Sequence, residues 1–140
     1  MTLTITSSLD IATCQRLRRI VFIEEQSVPR HIEVDGLDDS AHHLLALWDG
    51  QPMGTARLLI LSDAGKIGRV CVLPQGRGRG IGAALTRAAV QHFRLMPGVT
   101  KVKLGAQIHA QGFYAALGFT PVGAEYIEAG IPHRDMILTL

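Results

Sequence analysis

The sequence predicts a mixed α/β (α+β) domain with a mostly antiparallel central sheet flanked by helices, and three observations carry that prediction. Short β-prone runs separated by tight-turn residues follow one another between His43 and Leu73, the pattern of a meander. A glycine- and arginine-rich stretch, Arg77-Gly78-Arg79-Gly80-Ile81-Gly82, then joins a strand to an alanine-rich helical run. A strand, a short helix and two further strands complete the order. At 140 residues, 47% hydrophobic and 19% charged, residues 1–140 are expected to form one domain with a sizeable core.

Leu3 to Ser7 is short, rich in Thr and reads as the first strand. Ser8 or Asp10 can cap the helix that follows, because either side chain can accept from a free backbone N–H of the first turn. Its apolar face would hold Ile11, Leu17, Ile20, Val21 and Ile23, with Arg16, Arg18 and Arg19 on the other side. Pro29 ends that pattern, and the acidic stretch Glu33 to Ser40 reads as a loop. His43 to Trp48 and Met53 to Leu61 are predicted to pair through an Asp49-Gly50 turn, with His42-His43 at a strand edge. Ser62 to Gly65 makes a second turn into the strand Lys66 to Leu73.

After the glycine loop, a helix is expected from near Ala83 until Pro97-Gly98 stops it. Val99 to Leu104 reads as a strand, Ile108 to Leu117 as a helix ended by Gly118, and Phe119 to Val122 as the start of another strand. The last strand, Met136 to Leu140, is entered from the turn Gly130-Ile131-Pro132-His133 and leaves an edge on which a second copy could pair as a homodimer.

The formal charge of +2 conceals a sharp division. From Ala64 to Ala124 there is no Asp or Glu, yet there are eight basic residues: Lys66, Arg69, Arg77, Arg79, Arg87, Arg94, Lys101 and Lys103. All twelve acidic residues lie outside that stretch. A basic centre suits a polyanion, and acidic flanks suit a cation. The alternating glycines let the backbone turn tightly and approach a ligand, while the following helix aims unpaired N–H groups at it. Together they form a phosphate or pyrophosphate site.

Three nucleotide loops share this spacing. A P-loop would end in Gly-Lys-Ser/Thr, whereas this one ends Gly80-Ile81-Gly82. A dinucleotide turn needs an acid about twenty residues on, and none occurs before Glu125. The third pattern, Arg/Gln-x-x-Gly-x-Gly/Ala, is met by Arg77, Gly80 and Gly82 after Val70-Cys71-Val72-Leu73-Pro74. Downstream lies Phe113-Tyr114-Ala115-Ala116-Leu117-Gly118-Phe119. With both motifs in this order, nearly the whole chain resembles the GNAT superfamily of acyl-coenzyme A-dependent N-acyltransferases. Val21-Phe22-x-x-Glu25-Gln26, Asp35 to Ala41 and Gly130 to His133 resemble its small bacterial ElaA-like branch.

That resemblance implies a sheet splayed at the cofactor strand, with acetyl-coenzyme A as co-substrate and a small-molecule amine as acceptor. It implies that the backbone of Arg77, Gly78, Arg79, Gly80, Ile81 and Gly82 cradles the pyrophosphate, with the two arginines free to reach phosphates. Main-chain groups of Cys71 and Val72 would pair with the pantetheine arm, and Val72 would also stabilise the oxyanion. Gln107 stands near where many relatives place a pantetheine-binding Asn. Tyr114 matches the tyrosine that protonates the departing thiolate, although Phe113, Tyr114 and Phe119 could equally form a core cluster. For the base, Glu25 leads, ahead of Glu125, Glu128, His109 and His133. The acceptor wall would be drawn from Glu25, Asp35, Arg57, Glu125, Glu128 and His133, with Arg57 and Arg69 leaving room for an anionic group on the acceptor.

Other readings are thinner. A sensor holding acyl-coenzyme A without turnover would keep the loop and dispense with Tyr114. Nucleic-acid binding is disfavoured because aromatics for stacking make up only 5% of the chain. No metal is expected, since the histidines lack ligand spacing. Cys14 and Cys71, far apart, suggest two free thiols in a cytoplasmic protein. No membrane segment or leader is expected.

Overall fold

A computed structural model describes residues 1–140. Seven strands form one sheet: β1 (Leu3–Ser8), β2 (His42–Trp48), β3 (Gln51–Leu61), β4 (Ala64–Val72), β5 (Lys101–Gln107), β6 (Thr120–Glu128) and β7 (Ile131–Thr139). Their order is β1-β2-β3-β4-β5-β7-β6. Every neighbouring pair is antiparallel except β4 and β5, which run parallel and meet only at Ala64↔Lys101, Gly65↔Val102 and Lys66↔Lys103. Past Lys66 both strands continue unpaired with each other, so the sheet forks.

A bulge helps to open the fork. Thr55 pairs with Cys71 and Arg57 with Gly68, which leaves Arg69 and Val70 together opposite Ala56. Arg69 takes φ 52°, a left-handed conformation uncommon for a residue other than glycine, and the extra residue bends β4. The β2–β3 connection is tighter. Asp49 and Gly50 both have positive φ (49° and 80°), the combination a two-residue hairpin needs to match strand twist.

Helices cover both faces. The first, α1 (Ile11–Arg18), is capped by Asp10, which accepts from the Thr13 N–H at 3.1 Å. It runs on as a π-helical segment, Arg19–Glu25, in which the Gln26 N–H reaches back to the Val21 carbonyl. A single turn, α2 (Arg30–Glu33), leads into the expected loop Glu33 to Ser40, which ends in a 3-10 turn at Asp38–Ser40. On the opposite face α3 (Ile81–Arg94) buries Ile81, Leu85, Ala89 and Phe93, a strict i, i+4 stripe, against the sheet. The last helix is α4 (Gln111–Ala116).

The larger core lies under α3 and joins both halves of the sheet: Leu44, Ala56 and Ile67 on one side of the fork, Val102, Leu104 and Met136 on the other. A smaller cluster of Cys14, Leu17, Val21, Leu45, Cys71 and Leu73 packs beneath α1. No helix is long and apolar enough to cross a membrane.

Four expectations are corrected. The α3 helix begins at Ile81 rather than Ala83, because Gly80 (φ 77°) ends the loop directly at its N-terminus. Arg18 is not on the solvent face: it is 1% exposed, turned inward to buried carboxylates. His42 and His43 lie in β2, which is internal between β1 and β3. The final strand is no edge either. It begins at Ile131 and pairs with β5 on one side and β6 on the other, leaving β1 and β6 as the outer strands.

Candidate active site

The fork between β4 and β5 opens into a cavity of about 450 Å³, a size suited to a small ligand. Its floor is the diverging pair of strands, and its walls come from the π-helical segment, α2 and the β6–β7 hairpin. Alternation along β4 decides which backbone groups face it. The Leu73 N–H bonds the Met53 carbonyl, so residue 73 points toward β3. Val72 therefore turns its N–H and C=O away from β3, on the side of the fork, and Cys71 turns back toward Thr55.

The loop from Arg77 to Gly82 follows β4 beyond the cavity lining, which on that strand ends at Val70, so neither Val72 nor the loop lines the cavity itself. Gly78 (φ 80°) and Gly80 (φ 77°) give the loop a conformation that a Cβ would strain, and nothing crowds either position. No side chain caps α3, so its first N–H groups and positive dipole end face the loop unopposed. That donor set fits a pyrophosphate.

A GNAT acetyltransferase family model matches residues 13–140. This chain belongs to the GNAT acetyltransferase family. Within that family, ElaA of Escherichia coli is 36% identical over 129 residues, covering 86% of this chain and 82% of its own. The solved ElaA structure superposes with a TM-score of 0.86 over 98% of this chain and 99% of that one. An acyl-CoA N-acyltransferase from Pseudomonas aeruginosa, 36% identical, superposes at 0.85 over 98% and 99% of the two chains. The N-acetyltransferase YjcF of Bacillus subtilis is 33% identical over 123 residues, 86% of each chain. The ElaA-like branch and the fork expected of a GNAT sheet are thus both present, and enzymes of this family use acetyl-CoA.

The two GNAT-loop arginines are already engaged. Arg77 holds Glu25 in a two-pronged pair, both contacts 2.6 Å, and its Nε donates to the Val72 carbonyl at 3.1 Å. Arg77 keeps the Glu25 carboxyl below its ordinary range, and Glu25 lies outside the cavity lining. Arg79 stacks its guanidinium over Trp48, 4.9 Å from the ring centroid. Gln107, at the end of β5, donates to the Gln26 side chain at 3.1 Å and meets His109 Nε2 at 2.7 Å. It thereby ties β5 to the end of the π-helical segment.

Tyr114 lines the cavity and packs edge-on against Phe113 and Phe119, so the aromatic cluster and the site are one structure. Burial pushes its phenol up to about 12. Cys71 is buried under α1, and desolvation pushes its thiol up to about 12 as well, which keeps it protonated and inert.

Of the acceptor-wall residues, Asp35, Arg57, Glu128 and His133 line the cavity, whereas Glu25 and Glu125 do not. Arg57 is committed to Asp35 (2.7 and 2.8 Å) and Asp38 (3.2 Å), so it presents no free cation. Arg57 holds the Asp35 carboxyl down at about 2. Arg69 joins the same network through Asp35 at 3.2 Å. Behind them, Arg18 binds Glu33 at 2.7 Å and Asp38 at 2.7 and 3.0 Å. Burial opposes ionisation of Asp38, yet its bonds to Arg18 and Gln15 hold its carboxyl well below the usual range.

His133 is 7% exposed and its Nδ1 lies 2.6 Å from the Ile131 carbonyl. A carbonyl only accepts, so Nδ1 carries the proton and Nε2 of the neutral ring is left as an acceptor. Glu128 stands 3.8 Å from that nitrogen. Sequence reasoning missed Tyr126 and Asp135, which share a 2.7 Å hydrogen bond in front of Gly105. It also missed Lys66 and Lys103 as lining residues. Only the period-2 pattern of β5 and β7 could have placed these groups on one face, and it needed the strand order to be useful. No group of three or more His, Cys, Asp or Glu is placed to hold a metal.

Proposed function

We propose that this GNAT acetyltransferase moves the acetyl group of acetyl-CoA to a primary amine of a small molecule, by direct attack in a ternary complex. The fork supports the reading: β4 and β5 part beyond Lys66, and the Val72 main chain turns away from β3 just before the glycine loop. The backbone from Arg77 to Gly82 would take the pyrophosphate, and Val72 and Gln107 the pantetheine arm. His133 Nε2 would accept the proton that the ammonium must lose, directly or through water. The amine lone pair then attacks the thioester carbon to form a tetrahedral adduct; its collapse breaks the C–S bond, and the second proton on nitrogen restores Tyr114 as the phenol protonates the sulfur. The N–H group of Val72 faces the developing oxyanion. Tyr114 gives its proton to the departing sulfur.

Glu25 is not assigned the base, since Arg77 occupies it outside the cavity. The test begins with a thermal-shift titration of acetyl-CoA against NADPH and ATP, where selective binding must stabilise the fold. Tyr114→Phe should then lower turnover by about 100-fold or more with CoA affinity nearly unchanged. Unaltered turnover would remove Tyr114 from the mechanism, and equal shifts with all three nucleotides would remove the donor.

A further inference from the structure

Building on the acetyl-transfer reading, we infer that the acceptor is an anionic amine: Lys66 and Lys103 bind its carboxylate or phosphate at the closed end of the cavity, with its amine toward Asp135 and Glu128.

Lys66 and Lys103 are register partners at the last paired position before β4 and β5 separate. Both line the cavity and both are half-buried. Adjacent strands lie about 4.8 Å apart, so two ammonium groups start side by side, an arrangement that disfavours folding. Neither has a carboxylate at ion-pair distance. Three of the four acids that line the cavity are engaged elsewhere, Glu33 with Arg18, Asp35 with Arg57 and Asp135 with the Tyr126 hydroxyl, while the exposed Glu128 lies 3.8 Å from His133 Nε2 and reaches neither lysine. The arginines that first suggested an anion site, Arg57 and Arg69, are charge-paired with those acids, although a buried Nε–H of each has no hydrogen-bond partner. The two lysines are what remains.

Charge is also sorted along the cavity. Two residues up β5 from Lys103, Gly105 pairs with Asp135, and two further on Gln107 pairs with His133. Each such step is roughly 6.6 Å of strand. Cations therefore sit at the fork, and acids with the proton acceptor sit toward Tyr114 and the slot. A zwitterion with its two charges separated by a short carbon chain matches that polarity, and a diamine does not. The lysine pair would supply affinity for the anion and orient the amine toward the thioester.

The test measures coenzyme A release with a thiol-reactive dye, using acceptors matched in length. These are 5-aminopentanoate against 5-aminopentanamide, 2-aminoethyl phosphate against ethanolamine, and 1,4-diaminobutane. We expect kcat/KM at least about tenfold higher for an anionic member than for its neutral partner, and the two pairs separate carboxylate from phosphate. Lys66→Met and Lys103→Met should each erase that preference by raising KM for the anionic acceptor. They should leave acetyl-CoA binding intact and the melting temperature intact or raised. Lys101→Met, on the same strand but outside the cavity lining, should change nothing. A preference for the diamine, a preference that survives both variants, or no acetylation of any anionic probe would overturn the inference. If acetyl-CoA fails to bind, it is the acetyl-transfer reading that falls; if it binds and amines react without regard to the anion, only the present inference does.

Discussion

Arg18 ties together the acidic residues behind the cavity, and replacing it with Met should measure how firmly. The side chain is 1% exposed and makes three charge-assisted hydrogen bonds, one to Glu33 and two to Asp38. Arg18→Met keeps most of the volume but strands two buried carboxylates. Removing one member of a buried pair typically costs about 3–5 kcal/mol, mostly through the charge left behind. Here the remaining partners moderate the loss. Asp38 retains Gln15 at 2.9 Å and Arg57 at 3.2 Å, and Glu33 retains Arg69 at 3.6 Å. The lower end, about 3 kcal/mol, is therefore expected. For a domain of this size that is a fall in Tm of about 10 °C. In urea, the midpoint should drop by about 2 M. Equilibrium unfolding should be run at pH 7 and pH 3. Protonation near pH 3 relieves the stranded acids, so the gap between wild type and variant should narrow there. Arg19→Met is the control: Arg19 is exposed and meets Glu24 only at 3.4 Å, so its loss should stay within about 0.5 kcal/mol. A loss below about 1 kcal/mol at pH 7 for Arg18→Met would refute the argument that this network is a buried electrostatic unit.

Two further outcomes are expected. Glu25→Gln frees Arg77 from an exposed pair worth about 1 kcal/mol at most, so CoA affinity should rise up to about fivefold at low salt. Unchanged affinity by calorimetry would mean Arg77 does not face the phosphates. His42 stacks on His92 with centroids 4.2 Å apart, and burial, then His92 and His43, lower its pKa from 6.5. A depressed folded-state value means its contribution is complete above about pH 6.5 and is lost as pH falls below it. His42→Gln should thus flatten the loss of stability between pH 7 and 5, and an identical slope in urea titrations would exclude the stacked pair as its source.

What could be read from the sequence was local. The glycine loop, the Asp49-Gly50 hairpin and the four-residue spacing of Ile81, Leu85, Ala89 and Phe93 each declare themselves within a few residues. Arg18 did not, because helical periodicity files a charged residue on the wet face and cannot see Glu33 and Asp38 arriving from the next segment. Glu25 looked like a free carboxylate until Arg77, 52 residues away, was found on it. The cavity lining depends on β7 slipping between β5 and β6, a non-local pairing that brings Asp135 and His133 beside Gly105 and Gln107. Tyr114 illustrates the middle case. Its motif was plain, and its two alternative uses proved compatible, since one ring edge packs in the cluster and the residue still lines the cavity.

The fork has a hinge pin on its dry side. Phe93 of α3 lies where a Cβ on Gly65 would collide with its ring, one residue before the strands part. The same helix grips both jaws through the shared core, from Ile67 on one to Val102 on the other. The gape of the slot is therefore set by side-chain volume along α3, at residues that no substrate touches. Changes at Ala89 or Phe93 would widen or narrow the jaws like a wedge driven in from behind. The width of the fork can thus be altered from α3, at Ala89 or Phe93, without a substitution in the cavity wall.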